Sequence, residues 1–363
     1  KLAMIVSANK ASWTPPDPIT AGHAAAWGVF VAGCLEVLLV AGNTARADAL
    51  PGFRRVTLDK DVRRFFVALG PAVIGSGGVQ LALFADTIIA SFLPAGALSA
   101  LYYADRLNQL PIGVIGIAVG TVLLPDLSRR LAAGDEAGAR DAQNRAIEFT
   151  LLLSLPCLVA FLLVPDLILR ALFVRGAFTA ADAAAAGATL AAYALGLVPF
   201  VLIRSAVAPF FARGDTATPV KAALIAVAVN IAFKILLMGP LAQVGLALAT
   251  TIGAWINFAL VVWFAWRAGF MRLDAGLVRS LAKLGAAGLA LGVALWLAQR
   301  PALELFAGRG ARDLMGLAVL AALGAIVYGG VVLLLFGRQW IARLRRRRAA
   351  AAPSPRPADV LHE

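Results

Sequence analysis

The sequence predicts an all-α polytopic membrane protein. Three observations carry this. The 363 residues are 61% hydrophobic with a mean hydropathy of +0.84, whereas soluble domains sit near roughly 45–50% apolar. Predominantly apolar runs of about 20 residues, the length that crosses a bilayer, recur nine times. The Lys and Arg residues lie between these runs and alternate in number from one connection to the next.

The nine expected spans cover roughly 20–43, 67–93, 101–125, 148–165, 184–205, 219–239, 244–266, 279–298 and 314–337, numbered here first to ninth. Short connections suit antiparallel neighbours. Connections on one side, together with the C-terminal tail as far as Arg348, hold 22 basic residues, among them Arg54, Arg129, Arg213, Lys283 and Arg345. The other side holds seven, including Lys1, Arg170 and Arg312. Basic residues stay on the cytoplasmic side, so the C-terminus is expected inside and the N-terminus outside. The net charge of +13 therefore reads as topology. It does not form the single basic face that nucleic acid would need.

Three connections carry more. Residues 53–66, FRRVTLDKDVRRFF, mix Arg pairs with aromatics and suit the cytoplasmic interface. Residues 126–147 are polar and Ala-rich and predict a short surface helix. The tail after Arg348 is Ala/Pro-rich and predicts disorder. The Arg run before it reads as a topology anchor that also suits anionic lipid. The chain opens with Lys, and KLAMIVSAN is too short to span, so it reads as the end of a helix whose start is missing.

Ionisable residues inside spans are costly and default to function. In LYYADRLNQLPIGVIGIAVG, helical spacing places Tyr102, Tyr103, Arg106, Gln109 and Gly113 on one face. Asp105 is turned about 100° from Arg106. Pro111 cannot donate to the Leu107 carbonyl, which loosens the helix beside the charges. The face reads either as a cavity wall that meets an anionic group or as an Arg reaching the interface beside a local Asp105 partner. Asp86 and Lys234 sit at similar depth on the second and sixth spans, with Asn230 one turn deeper on the Lys234 face and Thr250 about a turn and a half into the seventh span. They allow three readings: a snorkelling lysine, a structural ion pair or a coupling-ion site. Glu36, near the middle of the first span, and Arg204, in the cytoplasmic half of the fifth, are less informative, each facing either a cavity or a neighbouring helix. Pro71, Pro156, Pro199 and Pro209 interrupt spans, which is tolerated where neighbours satisfy the freed backbone.

Enzyme signatures are lacking: the chain has no P-loop, HExxH or GxSxG. Cys34 and Cys157 lie in apolar runs, and His23 and His362 lack metal-ligand spacing. The expectation is a protein that is not an enzyme, with no metal firmly assigned.

The stretches DTIIASFLPAG, LYYADRLNQLPIGVIGIAVGTVLLPDLSR, LFVRGAFTAADA, FFARGDTATPVK and VGLALATTIGAWIN resemble the MurJ (MviN) family of lipid II flippases, within the MOP superfamily. The resemblance runs from residue 1 to about 270. It implies fourteen helices in two lobes plus a C-terminal pair, of which this chain would hold the last nine. Residues 1–66 would then close the N-lobe and link it onward. Residues 67–267 would form the six-helix C-lobe, 268–338 the C-terminal pair, and 339–363 a basic, then disordered, cytoplasmic tail.

The function implied is movement of undecaprenyl-pyrophosphate-linked peptidoglycan precursor across the bacterial inner membrane by alternating access. Alternatives are a MOP-type exporter of another lipid-linked glycan or amphipathic solute, and a non-transporting scaffold. The resemblance assigns Arg106, Asp105, Gln109, Tyr103 and Ser99 to the substrate cavity, with Gln109 standing where many relatives carry an acid. Asp86, Asn230 and Thr250 match sodium-ligand positions in some relatives. Lys234 stands where a ligand Asp would be, which disfavours sodium. No other cofactor is implied.

Overall fold

The computed structural model describes residues 18–46, 62, 87–94, 96–271, 274–308 and 311–350, with backbone alone at 18–22, 25 and 338–350. All the long elements described are helical. The chain divides into two compact units, 1–71 and 72–363. In the first unit, helix α1 runs Pro18–Arg46. The second unit holds α2 (Ala97–Pro111), a π-helical turn (Ile112–Gly116), α3 (Ile117–Ala132), α4 (Glu136–Leu163) and α5 (Pro165–Phe173). It continues with α6 (Ala180–Phe211), α7 (Ala217–Arg267), α8 (Ala275–Glu304) and α9 (Arg312–Ala350). Among the described residues seven helices are long and apolar enough to cross a membrane.

Most of the expected spans are recovered. The sixth and seventh join into α7, which breaks at Ala242 (φ 46°, ψ −128°). A Cβ on Gly245 would collide with the Leu237 carbonyl oxygen, so only glycine lets the two halves fold back this tightly. The second span lies outside the described residues apart from a turn at 87–91. The interfacial segment 53–66 lies outside them except for Val62, and the tail beyond Ala350 lies wholly outside.

The surface helix expected at 126–147 is not a separate element. Residues 126–132 end α3, and Asp135 then caps α4 by accepting from the Gly138 N–H at 2.8 Å. No proline falls between Glu136 and Leu155, so the polar stretch runs straight into the span. The short helix α5 was not foreseen, although Pro165 at its first turn is the usual start signal.

Helix α6 is the hub, packing against α2, α3, α4, α5 and α7. Its sequence AADAAAAGATLAAYALG explains why: small side chains let neighbouring backbones approach closely in a bilayer. A Cβ on Gly187 would lie 3.0 Å from the Asp166 backbone. Thr179 and Asp182 form a capping box that starts the helix.

The prolines inside spans explain the links between helices. A proline cannot donate to the carbonyl four residues earlier, so Pro156, Pro199 and Pro209 free the carbonyls of Leu152, Leu195 and Ser205. Each freed oxygen accepts from a side chain of another helix. Tyr328 Oη of α9 donates to Leu152 at 2.8 Å. Trp255 Nε1 of α7 donates to Leu195 at 2.9 Å. Gln143 Nε2 of α4 donates to Ser205 at 3.4 Å. An unsatisfied carbonyl in hydrocarbon is costly, so the breaks themselves specify partners.

This yields a prediction. Trp255→Phe should destabilise the protein by about 1–3 kcal/mol, the cost of a carbonyl left without a partner where the surroundings are hydrocarbon. Much of that loss should disappear in a Pro199→Ala background, where the backbone N–H restored by the substitution can serve the Leu195 carbonyl itself. Equal losses in both backgrounds, measured by thermal unfolding in detergent, would show that the Trp255 bond carries nothing.

At the basic end of the bundle Arg213 links three elements. It donates to the Pro209 carbonyl at 3.1 Å and to Glu136 of α4 at 2.7 Å, and stacks 4.1 Å from the Phe270 ring centroid. Beside it the Thr218 N–H donates to Asp215 at 3.0 Å, and these Thr218 hydrogen bonds hold the Asp215 carboxyl below its ordinary range.

Candidate functional site

Helix α2 begins after Gly96, whose φ of 91° is left-handed and favours glycine. Ser99, Tyr102, Arg106 and Gln109 follow at spacings of three and four and are all exposed. They form one polar strip along the helix. The Arg106 guanidinium sits 5.0 Å from the Tyr102 ring centroid, a cation–π arrangement. Its Nη1 makes a long contact of 3.5 Å with Gln109 Oε1. Gln109 Nε2 donates to the Asp105 carboxylate one turn back. The amide thus links acid and base. Among the described residues Arg106 makes no ion pair with a carboxylate. A cation held by a ring and a neutral amide keeps most of its charge available to an incoming anion.

Tyr103 goes elsewhere. Its ring packs at 4.8 Å from both Phe173 and Phe178, in an aromatic cluster beyond the strip. Helical spacing allowed it to share the Arg106 face, but the apolar pocket at the end of α5 takes the ring. It anchors α2, while Tyr102 lines the strip.

Pro111 closes α2, and the helix widens at once into the π turn Ile112–Gly116. This is the loosening expected beside the charges. Single π turns are frequent at functional sites.

The second group of candidates is only partly in view. Asp86 lies outside the described residues. Lys234 is 3% exposed and takes part in an interaction. A Cβ on Gly253 would approach Asn230 Cβ to 2.9 Å, so the two halves of α7 touch one turn from Thr250. The Thr250 hydroxyl donates to its own helix at Leu246, 3.0 Å away, whereas Thr251 crosses to the Ala192 carbonyl of α6 at 2.8 Å. Thr251 and Trp255 were missed in the sequence, because nothing there says which helix they face. No group of three or more His, Cys, Asp or Glu able to hold a metal occurs among the described residues.

An apolar cleft of about 490 Å³ opens between α4, α8 and α9, lined by Leu152, Pro156, Leu291, Leu320 and Tyr328 among others. It suits a hydrocarbon chain.

Seven membrane-length helices among the described residues, several of them packed around α6, define a polytopic helical membrane protein, and α2 carries an exposed arginine on a polar strip. The family description "Lipid II flippase MurJ" matches residues 1–309. The chain belongs to that family. A Rhizobium tropici protein named "Probable lipid II flippase MurJ" is 38% identical over 355 residues, covering 98% of this chain and 66% of its own. Its namesake in Rhizobium meliloti (strain 1021) is 41% identical over 286 residues, covering 78% of this chain. This chain spans 52% of that relative's length. A solved structure titled "Lipid II flippase MurJ, inward closed conformation" superposes with a TM-score of 0.65 at 24% identity, over 79% of this chain and 57% of the other. The fold is shared.

Proposed function

We propose that this chain is the C-terminal part of a flippase that moves undecaprenyl-pyrophosphate-linked peptidoglycan precursor, lipid II, from the cytoplasmic to the outer leaflet of a bacterial inner membrane. The observation that carries the reading is Arg106. It is an intramembrane guanidinium on an exposed strip, opposed by no carboxylate among the described residues, in a chain of the lipid II flippase family. The task is to take a doubly charged, hydrated headgroup past hydrocarbon while its tail stays in lipid. Fixed cationic donors lower the cost for the pyrophosphate, and the apolar cleft between α4, α8 and α9 can shelter part of the tail. Residues Ser99, Tyr102, Asp105 and Gln109 position the guanidinium or line its approach.

On this reading nine spans form the end of one lobe, a six-helix second lobe and a C-terminal pair. The break of α7 at Ala242 supports that count, since each half is long enough to span. The C-terminus lies in the cytoplasm. A second break at Gly337 (φ 69°, ψ 168°) releases the segment carrying the Arg run from the last span, where it can rest on anionic lipid. The two lobes rock to expose the site alternately. A membrane potential contributes about 2.3 kcal/mol per charge per 100 mV toward outward movement of an anion.

The test is reconstitution of the full-length protein in proteoliposomes with fluorescent lipid II, scored by leaflet-specific quenching. Accelerated exchange of lipid II over protein-free vesicles is expected. Folded protein that moves no lipid II would overturn the reading.

A further inference from the structure

The sequence singles out Arg106, Lys234 and Arg204 as intramembrane basic residues. The first two have assigned places. Arg204 does not, and its surroundings give it one. It lies in α6, the most buried helix, yet its own side chain is exposed. A Cβ built on Gly116 would lie 3.6 Å from Arg204 Cγ, so its stem runs along that glycine at the end of the π turn. Among the described residues its guanidinium makes no hydrogen bond or ion pair. An unpaired arginine in hydrocarbon is costly and belongs where water or an anion can reach it.

The depths order the two arginines. Gly116 follows Arg106 by ten residues, roughly 15 Å along the helix. Arg204 precedes the end of α6 at Phe211 by seven residues, roughly 10 Å. Given the proposed orientation, Arg204 lies in the cytoplasmic half and Arg106 in the outer half. Pro111 and the π turn lie between them on α2–α3.

We propose that Arg204 is a second anion-binding station, which takes the substrate's pyrophosphate on the cytoplasmic side before Arg106 receives it. This rests on the flippase reading above. The order gives the two residues different kinetic signatures. Arg204 contributes to capture from the inner leaflet, whereas Arg106 holds the headgroup during the crossing. Loss of the first weakens loading, and loss of the second stops transfer.

The experiment uses full-length protein in proteoliposomes, with the initial rate of lipid II exchange measured against its mole fraction. Arg204→Gln should raise the half-saturating mole fraction about tenfold, as expected for one lost charge-assisted contact. The maximal rate should stay within about twofold, and Arg204→Lys should recover most of the capture. Thermal unfolding of both variants checks that they are folded. An unchanged half-saturation in Arg204→Gln would overturn the station while leaving the flippase reading intact. So would a fall in maximal rate alone, which marks a packing role. If the unsubstituted protein moves no lipid II, the flippase reading fails and the station fails with it.

Discussion

Arg106→Ala in the full-length protein is expected to abolish complementation of a strain depleted of its own lipid II flippase, with protein level unchanged. The guanidinium is exposed and held by Tyr102 and Gln109, so its removal leaves no buried partner stranded. Folding should therefore survive and transport should not. Arg106→Lys separates two roles. Partial activity would mean that charge suffices. A loss close to that of Ala would mean that the planar fork grips the pyrophosphate in two places. Normal growth with the Ala variant would remove headgroup binding from this residue and leave the strip a structural feature.

The second large effect is expected at Lys234. We propose that its amine pairs directly with Asp86 and that this pair replaces a bound sodium ion. At 3% exposure on α7 the amine is sealed from solvent, and stranding a charge there is expensive. Breaking one partner of a buried pair costs about 3–5 kcal/mol in soluble proteins, an upper guide here. Asp86→Ala and Lys234→Ala should each destabilise strongly, and the double change should cost less than the two single changes summed. Transport should be indifferent to replacing sodium with potassium. Additive losses in unfolding experiments, or a sodium requirement, would refute the pair.

What could be read in the sequence followed from local rules. Apolar run length located those spans that fall among the described residues, and Pro111 marked a loosened turn that proves to be π-helical. Part of the Arg106 strip, Tyr102, Arg106 and Gln109, was also legible, because i+3 and i+4 spacing fixes which residues share a helix face. Packing direction was not. Tyr103 obeyed the spacing but left the strip for Phe173 and Phe178, a choice made by a helix about seventy residues away. Arg204 looked uninformative because only the approach of α6 to Gly116 reveals its place. The prolines at 156, 199 and 209 marked freed carbonyls, yet the donors Tyr328, Trp255 and Gln143 were invisible until the helices were side by side. The polar run 126–147 misled in the opposite sense. Its composition suggested a surface, whereas an uninterrupted helix simply leaves the membrane.

The bond from Tyr328 to the Leu152 carbonyl joins positions 176 residues apart. Helices enter a membrane in the order they are synthesised, so α4 is in place long before its donor exists. Until α9 arrives, the Leu152 carbonyl has no such partner, although α4 is already tied to α6 through Gln143 and Ser205. Completion of the last span therefore supplies a hydrogen bond to a helix made much earlier. A ribosome stalled before Tyr328, or a Tyr328→Phe chain, should leave α4 exposed to membrane proteases in a way that loss of the downstream tail alone does not.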